Sequence, residues 1–344
     1  MTTPGAMVGS NLATRYMGLN LRCPLVASAS PLTKDVANIR RMEDVGMGAV
    51  VLHSLFEEQI EAESLALDRH LSGGTESFAE AMSYLPDMIE YNIGPEAYLE
   101  HIRKAKEAVR IPVIASLNGS TPGGWLQYAS LMEEAGADAL ELNLYFLPTD
   151  PETTGAQVES QCLKLVRDVA RSIHIPVSVK LGPYFSSLPN MVRSFDEGGA
   201  GAVVLFNRFY QPDYDLQTME VTPSLTLSTS QELLLRLHWV ALLSGRVKAD
   251  LAVTGGVHTA VDVLKSMMAG ARVAMMTSAL LKYGIDYVTK VIVDLNEWMT
   301  AHEYESIQQM QGSLNYLSVP DPAAYERANY MRVLSSYHLR HNGV

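Results

Sequence analysis

The sequence predicts an α/β protein, a closed (β/α)8 TIM barrel with an N-terminal hairpin and a C-terminal helical extension. Three observations carry this expectation. Eight short apolar segments recur along the 344 residues, each ending in polar or glycine-rich residues and most leading into an amphipathic stretch. The segments are apolar on both faces, as strands of a parallel sheet covered by helices must be. The joints between a helix and the next strand repeat one pattern: Val45-Gly46-Met47-Gly48-Ala49, Ala135-Gly136-Ala137-Asp138-Ala139, Gly198-Gly199-Ala200-Gly201-Ala202 and Ala269-Gly270-Ala271. Each offers a glycine to end a helix just before a strand begins.

The elements follow in order. Residues 25–28 read as the first strand and 35–45 as its helix. GAVVLHS at 48–54 is the second strand and PVIASLN at 112–118 the third, with a helix over 123–135. ALELNL at 139–144 is the fourth, followed by a helix over about 157–172. The fifth strand is 176–181, the sixth GAVVLF at 201–206, the seventh DLAVT at 250–254 and the eighth RVAMMT at 272–277. Two connections are long, 55–94 after strand two and 207–229 after strand six, and long loops on this face of a barrel usually form lids or walls. After about residue 303 the repeat stops. Pro320-Asp321-Pro322 and a polar-aromatic helix through 325–338 suit an extra helix, a lid or an oligomer contact. One domain is expected over 1–344, with its core at about 17–303 and the extension at about 304–344.

Composition narrows the function. A net charge of −12 argues against nucleic acid as the main partner. No apolar run reaches the roughly 20 residues of a membrane span, and the N-terminus has no signal-peptide pattern. Cys23 and Cys162 stand far apart, which argues against a disulfide framework and suits a reducing cytoplasm. No spacing of His, Asp or Glu suggests a metal, and no Gly-x-Gly-x-x-Gly opens a helix after a strand.

The chemistry concentrates at strand ends. Lys180, in VKLGPYF, closes a valine-rich strand, where a lysine is costly unless something anionic meets it. Three readings stand open: a Schiff-base amine, a cation beside a reduced flavin, or half of a buried ion pair with Glu141. Asn143 shares a face of strand four with Glu141, and its amide can both donate to and accept from a ring bearing imide groups. Val253-Thr254-Gly255-Gly256-Val257 and Met276-Thr277-Ser278-Ala279 close strands seven and eight, the usual phosphate site of this fold. His53 ends strand two as a pocket candidate. His258 is expected to cap the following helix, and His101, His174 and His238 to lie on helices as surface or packing residues.

Taken together, these segments resemble the dihydroorotate dehydrogenase family. The matching signatures are MGLNLRCPLVASAS near the start, ELNL on strand four, VKLGPYF on strand five, VTGGV on strand seven and TSAL on strand eight. The resemblance implies FMN above the barrel. Ala27, Ser28 and Ala29 would pass beneath the ring system, and Ser54 and Asn143 would hydrogen-bond to it. Lys180 would stabilise the reduced, anionic flavin. Gly255, Gly256, Thr277 and Ser278 would hold the phosphate, and Asn118, Asn143 and Asn207 would meet a small-molecule substrate. A homodimer and a redox partner protein are the implied assemblies.

The departures from the family fall on the substrate side. The family follows its asparagine with a serine or cysteine base and then Pro-Asn. Here Asn143 leads into Leu144-Tyr145-Phe146-Leu147-Pro148, so an ungapped match puts Phe146 at the base position and Pro148 at the substrate asparagine. Phenylalanine accepts no proton. His53 replaces a lysine, and the loop after strand six reads Thr222-Pro223-Ser224-Leu225-Thr226 in place of a glycine cluster. The leading expectation is an FMN oxidoreductase acting on another substrate at a C–C or C–N bond, with Tyr145 or His53 handling protons. The alternatives are a true dihydroorotate dehydrogenase with a relocated base, a Schiff-base lyase using Lys180, and a non-catalytic flavin-binding subunit.

Overall fold

The computed structural model describes residues 11–56, 95–118 and 125–335. A hairpin of β1 (Thr14–Tyr16) and β2 (Leu19–Leu21) precedes the barrel. The barrel strands are β3 (Leu25–Ala27) and β4 (Ala49–Val51), then, after a two-residue strand β5 (Leu55–Phe56), β6 (Val113–Asn118), β7 (Ala139–Leu144), β8 (Val177–Leu181) and β9 (Ala202–Leu205). A second hairpin, β10 (Asp213–Asp215) and β11 (Glu220–Thr222), intervenes before β12 (Asp250–Thr254) and β13 (Val273–Met276). Parallel pairing runs β4-β3-β13-β12-β9-β8-β7-β6, and the β4–β6 pairing closes the circle. Eight parallel strands therefore form the expected closed barrel, and β5 merely lengthens the rim beside β6.

The helices lie outside. They are α1 (Val36–Asp44), α2 (Pro95–Ala108), α3 (Trp125–Glu134), α4 (Gly155–Ser172), α5 (Leu188–Glu197), α6 (Leu233–Leu243) and α7 (Ala260–Ala269), then α8 (Ser278–Tyr283) and α9 (Tyr287–Ala301). Start signals explain several boundaries. Asp35 accepts the amide of Ala37 at the head of α1, and Thr154 with Gln157 makes a capping box on α4. At the other end of the helices, Gly46, Gly136, Gly199 and Gly270 all have φ between +98° and +115°. The recurring joints of the sequence are thus left-handed turns that feed the next strand.

The lower half of the barrel interior is apolar. Val26, Val51, Ile114, Val204, Val273 and Met275 point inward together with Ala49, Ala139, Ala202 and Ala252. The four alanines leave room for Tyr16, Met17 and Leu21 of the first hairpin, which plug the N-terminal mouth. The plug is tied down where Asp250 accepts the amide of Met17 at 2.8 Å. Above this layer the interior turns polar, with Ser116, Glu141, Ser178 and Lys180 all buried.

One expectation holds and one is revised. The connection 207–229 is a wall: both its ends, at Asn207, Arg208 and Tyr210 and at Leu225–Ser228, line the cavity at the strand ends, and between them it carries the β10–β11 hairpin, whose Tyr214, Leu216, Met219 and Val221 are exposed. The C-terminal extension, at residues 312–316, packs away from the strand-end cavity. After α10 (Ile307–Met310), Gly312 and Leu314 donate to the carbonyls of Met267 and Met268, and Tyr316 donates to that of Ala241. These are the C-terminal ends of α7 and α6, at the barrel end opposite the polar layer. The helix expected through 325–338 is a 3-10 turn at Pro322–Tyr325 and a short α11 (Ala328–Ser335). The remainder of that expectation, 336–338, and most of the connection 55–94 lie outside the described residues. So does the start of the 123–135 helix.

Candidate active site

At the C-terminal ends of the strands lies a cavity of about 580 Å³. It collects Ser28, Ala29, His53, Ser54, Asn118, Asn143, Tyr145, Lys180, Asn207, Gly255, Gly256, Thr277 and Ser278. These come from all eight barrel strands or the turns after them. Ala27, expected beneath a ring, does not line the cavity. It is wholly buried, and its backbone pairs with Val50 and Met276.

Strand register explains the inner row. Asn118 pairs with Asn143, and Asn143 with Lys180, so three strand-end side chains stand side by side at one level. Lys180 Nζ donates to Glu141 Oε1 at 3.3 Å and to Ser28 Oγ at 3.4 Å. Glu141 is 0% exposed, and its Oε2 has no hydrogen-bond partner. The ion pair is therefore real, yet it leaves the carboxylate only half satisfied and the ammonium with a third hydrogen to offer. Thr254 Oγ1 donates to Ser28 Oγ at 3.3 Å, extending the polar chain to the seventh barrel strand.

Asn207 Nδ2 donates to Asn143 Oδ1 at 2.7 Å, so Asn143 meets the cavity with its amide hydrogens. Ser54 and Ser116 share a hydrogen bond of 2.8 Å between their hydroxyls. His53 is buried against Tyr98 and His101, with ring centroids 5.0 Å and 5.3 Å away. Burial, reinforced by the neighbouring His101, pushes its pKa down to about 3. Near neutrality His53 is an uncharged imidazole and no proton reservoir.

The chain after β7 departs from the ungapped alignment. The amide of Tyr145 donates to the carbonyl of Asn143 at 3.1 Å, a three-residue turn at the strand end that leaves Tyr145 on the face Glu141 and Asn143 share. Tyr145 consequently lines the cavity, and Phe146 packs against the hydrophobic core instead. The phenol oxygen of Tyr145 accepts the amide of Tyr210 at 2.9 Å, so its own hydrogen remains available to donate. Phe209 packs near Tyr145 and edge-on to Tyr184.

At the opposite end of the cavity lies a glycine turn. Gly255 and Gly256 have φ of +85° and +87°. A Cβ on Gly256 would lie 2.5 Å from the amide nitrogen of Leu233, so only glycine fits. The Gly256 amide donates to Ser228 Oγ at 3.2 Å, and Ser228 Oγ lies 2.9 Å from Ser278 Oγ. His258 is not the helix cap. Thr259 caps α7 through a box with Asp262, and His258 Nε2 lies 3.4 Å from Ser228 Oγ. Among the other histidines, His174 sits beside Glu133 on the surface, while His101 is buried and bonds the carbonyl of Thr33.

Sequence reasoning missed Ser228 and Arg236, both of which line the cavity. Ser228 gives no sequence signal. Arg236 does: it is a lone cation within the apolar run Leu233–Leu243, the same anomaly that singled out Lys180. Among the described residues, no group of three or more His, Cys, Asp or Glu side chains is arranged to hold a metal ion, and no helix is long and apolar enough to cross a membrane.

The fold and the cavity define a class: a parallel (β/α)8 barrel with a glycine turn after its seventh strand and a buried lysine, both lining one cavity at the strand ends. The chain belongs to the dihydroorotate dehydrogenase family, whose model matches residues 84–299, more than half its length. It is similar to the "Putative dihydroorotate dehydrogenase A (fumarate)" of Aeropyrum pernix, at 28% identity over 60% of this chain and 68% of that protein. It is also similar to the "Dihydroorotate dehydrogenase B (NAD(+)), catalytic subunit" of Thermoplasma acidophilum, at 26% identity over 88% of this chain and 98% of the relative. The "NAD-dependent dihydropyrimidine dehydrogenase subunit PreA" of Escherichia coli K12 is 23% identical over 91% of this chain and 79% of its own length. The matched relatives are dehydrogenases, so the family relationship is to oxidoreductases.

Proposed function

We propose that the protein is an FMN-dependent oxidoreductase of the dihydroorotate dehydrogenase type, acting on a small pyrimidine-like substrate with an altered proton-transfer group. The observation that carries the reading is the row Asn118–Asn143–Lys180 facing the Gly255–Gly256 turn within one cavity. Such a cavity suits a ligand with a phosphate at one end and an electron-rich ring at the other. FMN, when bound, supplies hydride transfer at its N5.

The chain's own groups would do the rest. Gly255, Gly256, Thr277 and Ser278 would hold the phosphate, and Ser28, Ala29 and Ser54 would flank the ring. Lys180 would keep positive charge beside the ring, offsetting the negative charge that reduction brings. Its bond to Glu141 fixes the ammonium in place, which favours this role over a Schiff-base amine. Asn118, Asn143 and Asn207 would orient a substrate ring through amide hydrogen bonds. Tyr145 Oη would carry the proton, since Phe146 is turned away and His53 stays neutral. Leu216, Met219 and Val221 of the exposed hairpin suit burial against a second copy of the chain, and a further protein would exchange electrons with the flavin. A cytoplasmic setting agrees with this chemistry.

The test is anaerobic addition of reduced pyrimidines to the FMN-loaded protein, followed by the flavin absorbance. Bleaching by a reduced pyrimidine other than dihydroorotate is expected. Rapid bleaching by dihydroorotate would instead identify a dihydroorotate dehydrogenase with a relocated base. No bleaching by any reduced pyrimidine would overturn the substrate class.

A further inference from the structure

Arg236 is a buried cation with no carboxylate of its own. It sits one turn into α6, 7% exposed, and it lines the cavity below the glycine turn. Nε donates to the carbonyl of Thr254 at 3.1 Å and Nη1 to that of Glu232 at 2.6 Å. Nη2 is the atom nearest the point where a Cβ on Gly255 would stand, at 2.9 Å. The Glu232 carboxylate acts on it through charge, but is engaged by Arg208, at 2.5 Å between Nη1 and Oε2. No ion pair to Arg236 forms among the described residues. A guanidinium removed from water and left with neutral carbonyls is unfavourable unless an anion completes its surroundings.

The groups that line the cavity with it form a neutral, mutually bonded polar cluster. The Gly256 amide and the hydroxyls of Ser228 and Ser278 are linked by bonds of 3.2 Å and 2.9 Å, and all three residues line the cavity with Arg236. Backbone amides and hydroxyls supply directional hydrogen bonds but no net charge. A phosphate monoester carries close to two negative charges near neutrality. We infer that Arg236 supplies the formal positive charge of this seat, so that the cavity selects a ligand by its terminal phosphate. Arginine is suited to the task because its planar guanidinium offers several hydrogens in a fixed fork that matches phosphate oxygens. Burial does pull its pKa down, and Glu232 partly opposes that shift, but the group stays far from neutral at ordinary pH.

The inference takes its ligand from the flavin reading, so the test uses ligands that separate the two. Apoprotein is titrated with FMN and with riboflavin, which differ only in the phosphate, and separately with inorganic phosphate by calorimetry. Arg236→Gln is expected to weaken FMN binding roughly 10- to 100-fold, the range of one lost charge-assisted hydrogen bond. Riboflavin binding should change less than about 3-fold by the same variant. Arg236→Lys, which keeps a charge but not the planar fork, should retain a preference for FMN over riboflavin. Equal losses for FMN and riboflavin in Arg236→Gln would mean that Arg236 only braces the turn, and would overturn the inference. Should Arg236→Gln fail to fold, an Arg236→Lys variant with no preference for FMN would overturn it equally. If the wild type binds inorganic phosphate in an Arg236-dependent way but neither flavin, the seat stands and the flavin reading fails. If it binds neither flavin nor phosphate, both fail.

Discussion

Removing the charge of Lys180 alone should be far more damaging than removing it together with Glu141. The two groups lie 3.3 Å apart, with side chains 7% and 0% exposed. At an effective dielectric constant of about 20, unit charges at that separation attract by about 5 kcal/mol. Deleting one partner of such a buried pair costs about 3–5 kcal/mol, because the other is stranded. Lys180→Met should therefore destabilise the protein by about 3–5 kcal/mol, and Glu141→Gln by a similar amount. The double variant Lys180→Met/Glu141→Gln strands nothing and should fall within about 2 kcal/mol of wild type. Urea unfolding followed by circular dichroism gives all three values, and the cycle gives a coupling of several kcal/mol. Single variants that each cost less than about 1 kcal/mol, or a double variant equal to their sum, would show that the pair is not coupled as the geometry requires. The same Lys180→Met variant, loaded with FMN, should be reduced more slowly than wild type, and unchanged kinetics would remove Lys180 from the chemistry.

Other outcomes follow from single contacts. Gly256→Ala places a Cβ 2.5 Å from the Leu233 nitrogen at a φ of +87°, so it should abolish tight FMN binding; retained affinity in a fluorescence titration would mean that the turn relaxes freely. His53 has a folded pKa of about 3, below its unfolded value, so the unfolded chain takes up the proton first. Its contribution to stability is unaffected above about pH 6.5 and falls by about 1.4 kcal/mol per unit as pH drops from there toward 3. The difference in stability between wild type and His53→Gln should carry that slope, and a flat difference would contradict it. Phe146→Cys should cost about 2 kcal/mol through lost packing and create no dihydroorotate turnover, since the side chain faces the core; appearance of that activity would place residue 146 in the cavity. Leu216→Lys with Met219→Lys on the exposed hairpin should shift a dimer toward monomer in sedimentation velocity, and an unchanged assembly would put the dimer contact elsewhere.

Much of the barrel could be read from the chain because its signals are local. The glycine joints mark where each helix stops, and the apolar runs mark strands buried on both sides, so eight strands could be counted without any knowledge of their pairing. Register then follows from closure, which is why the expected neighbours Asn143 and Lys180 do stand side by side. The parts that were not visible depend on non-local packing. Tyr145 was legible: alternation from Glu141 and Asn143 puts it on the cavity side and Phe146 on the core side, whatever an ungapped alignment pairs with the base. Ser228 reaches the glycine turn from a connection whose path only the tertiary structure defines. Ala27 was misplaced because a strand-end alanine reads alike whether its neighbours cover it or leave it open. Arg236 is the instructive case: the reasoning that found Lys180 on a strand applies equally to a cation inside an apolar helix.

The most direct measurement is the flavin content of the purified protein. The protein is incubated with FMN, freed of unbound ligand by gel filtration, denatured, and the released flavin is quantified against protein concentration. The cavity described above predicts about one FMN per chain, with the Gly256→Ala variant losing most of it. Folded wild-type protein that emerges colourless, with no flavin released on denaturation, would contradict the proposal that this barrel is a flavoenzyme.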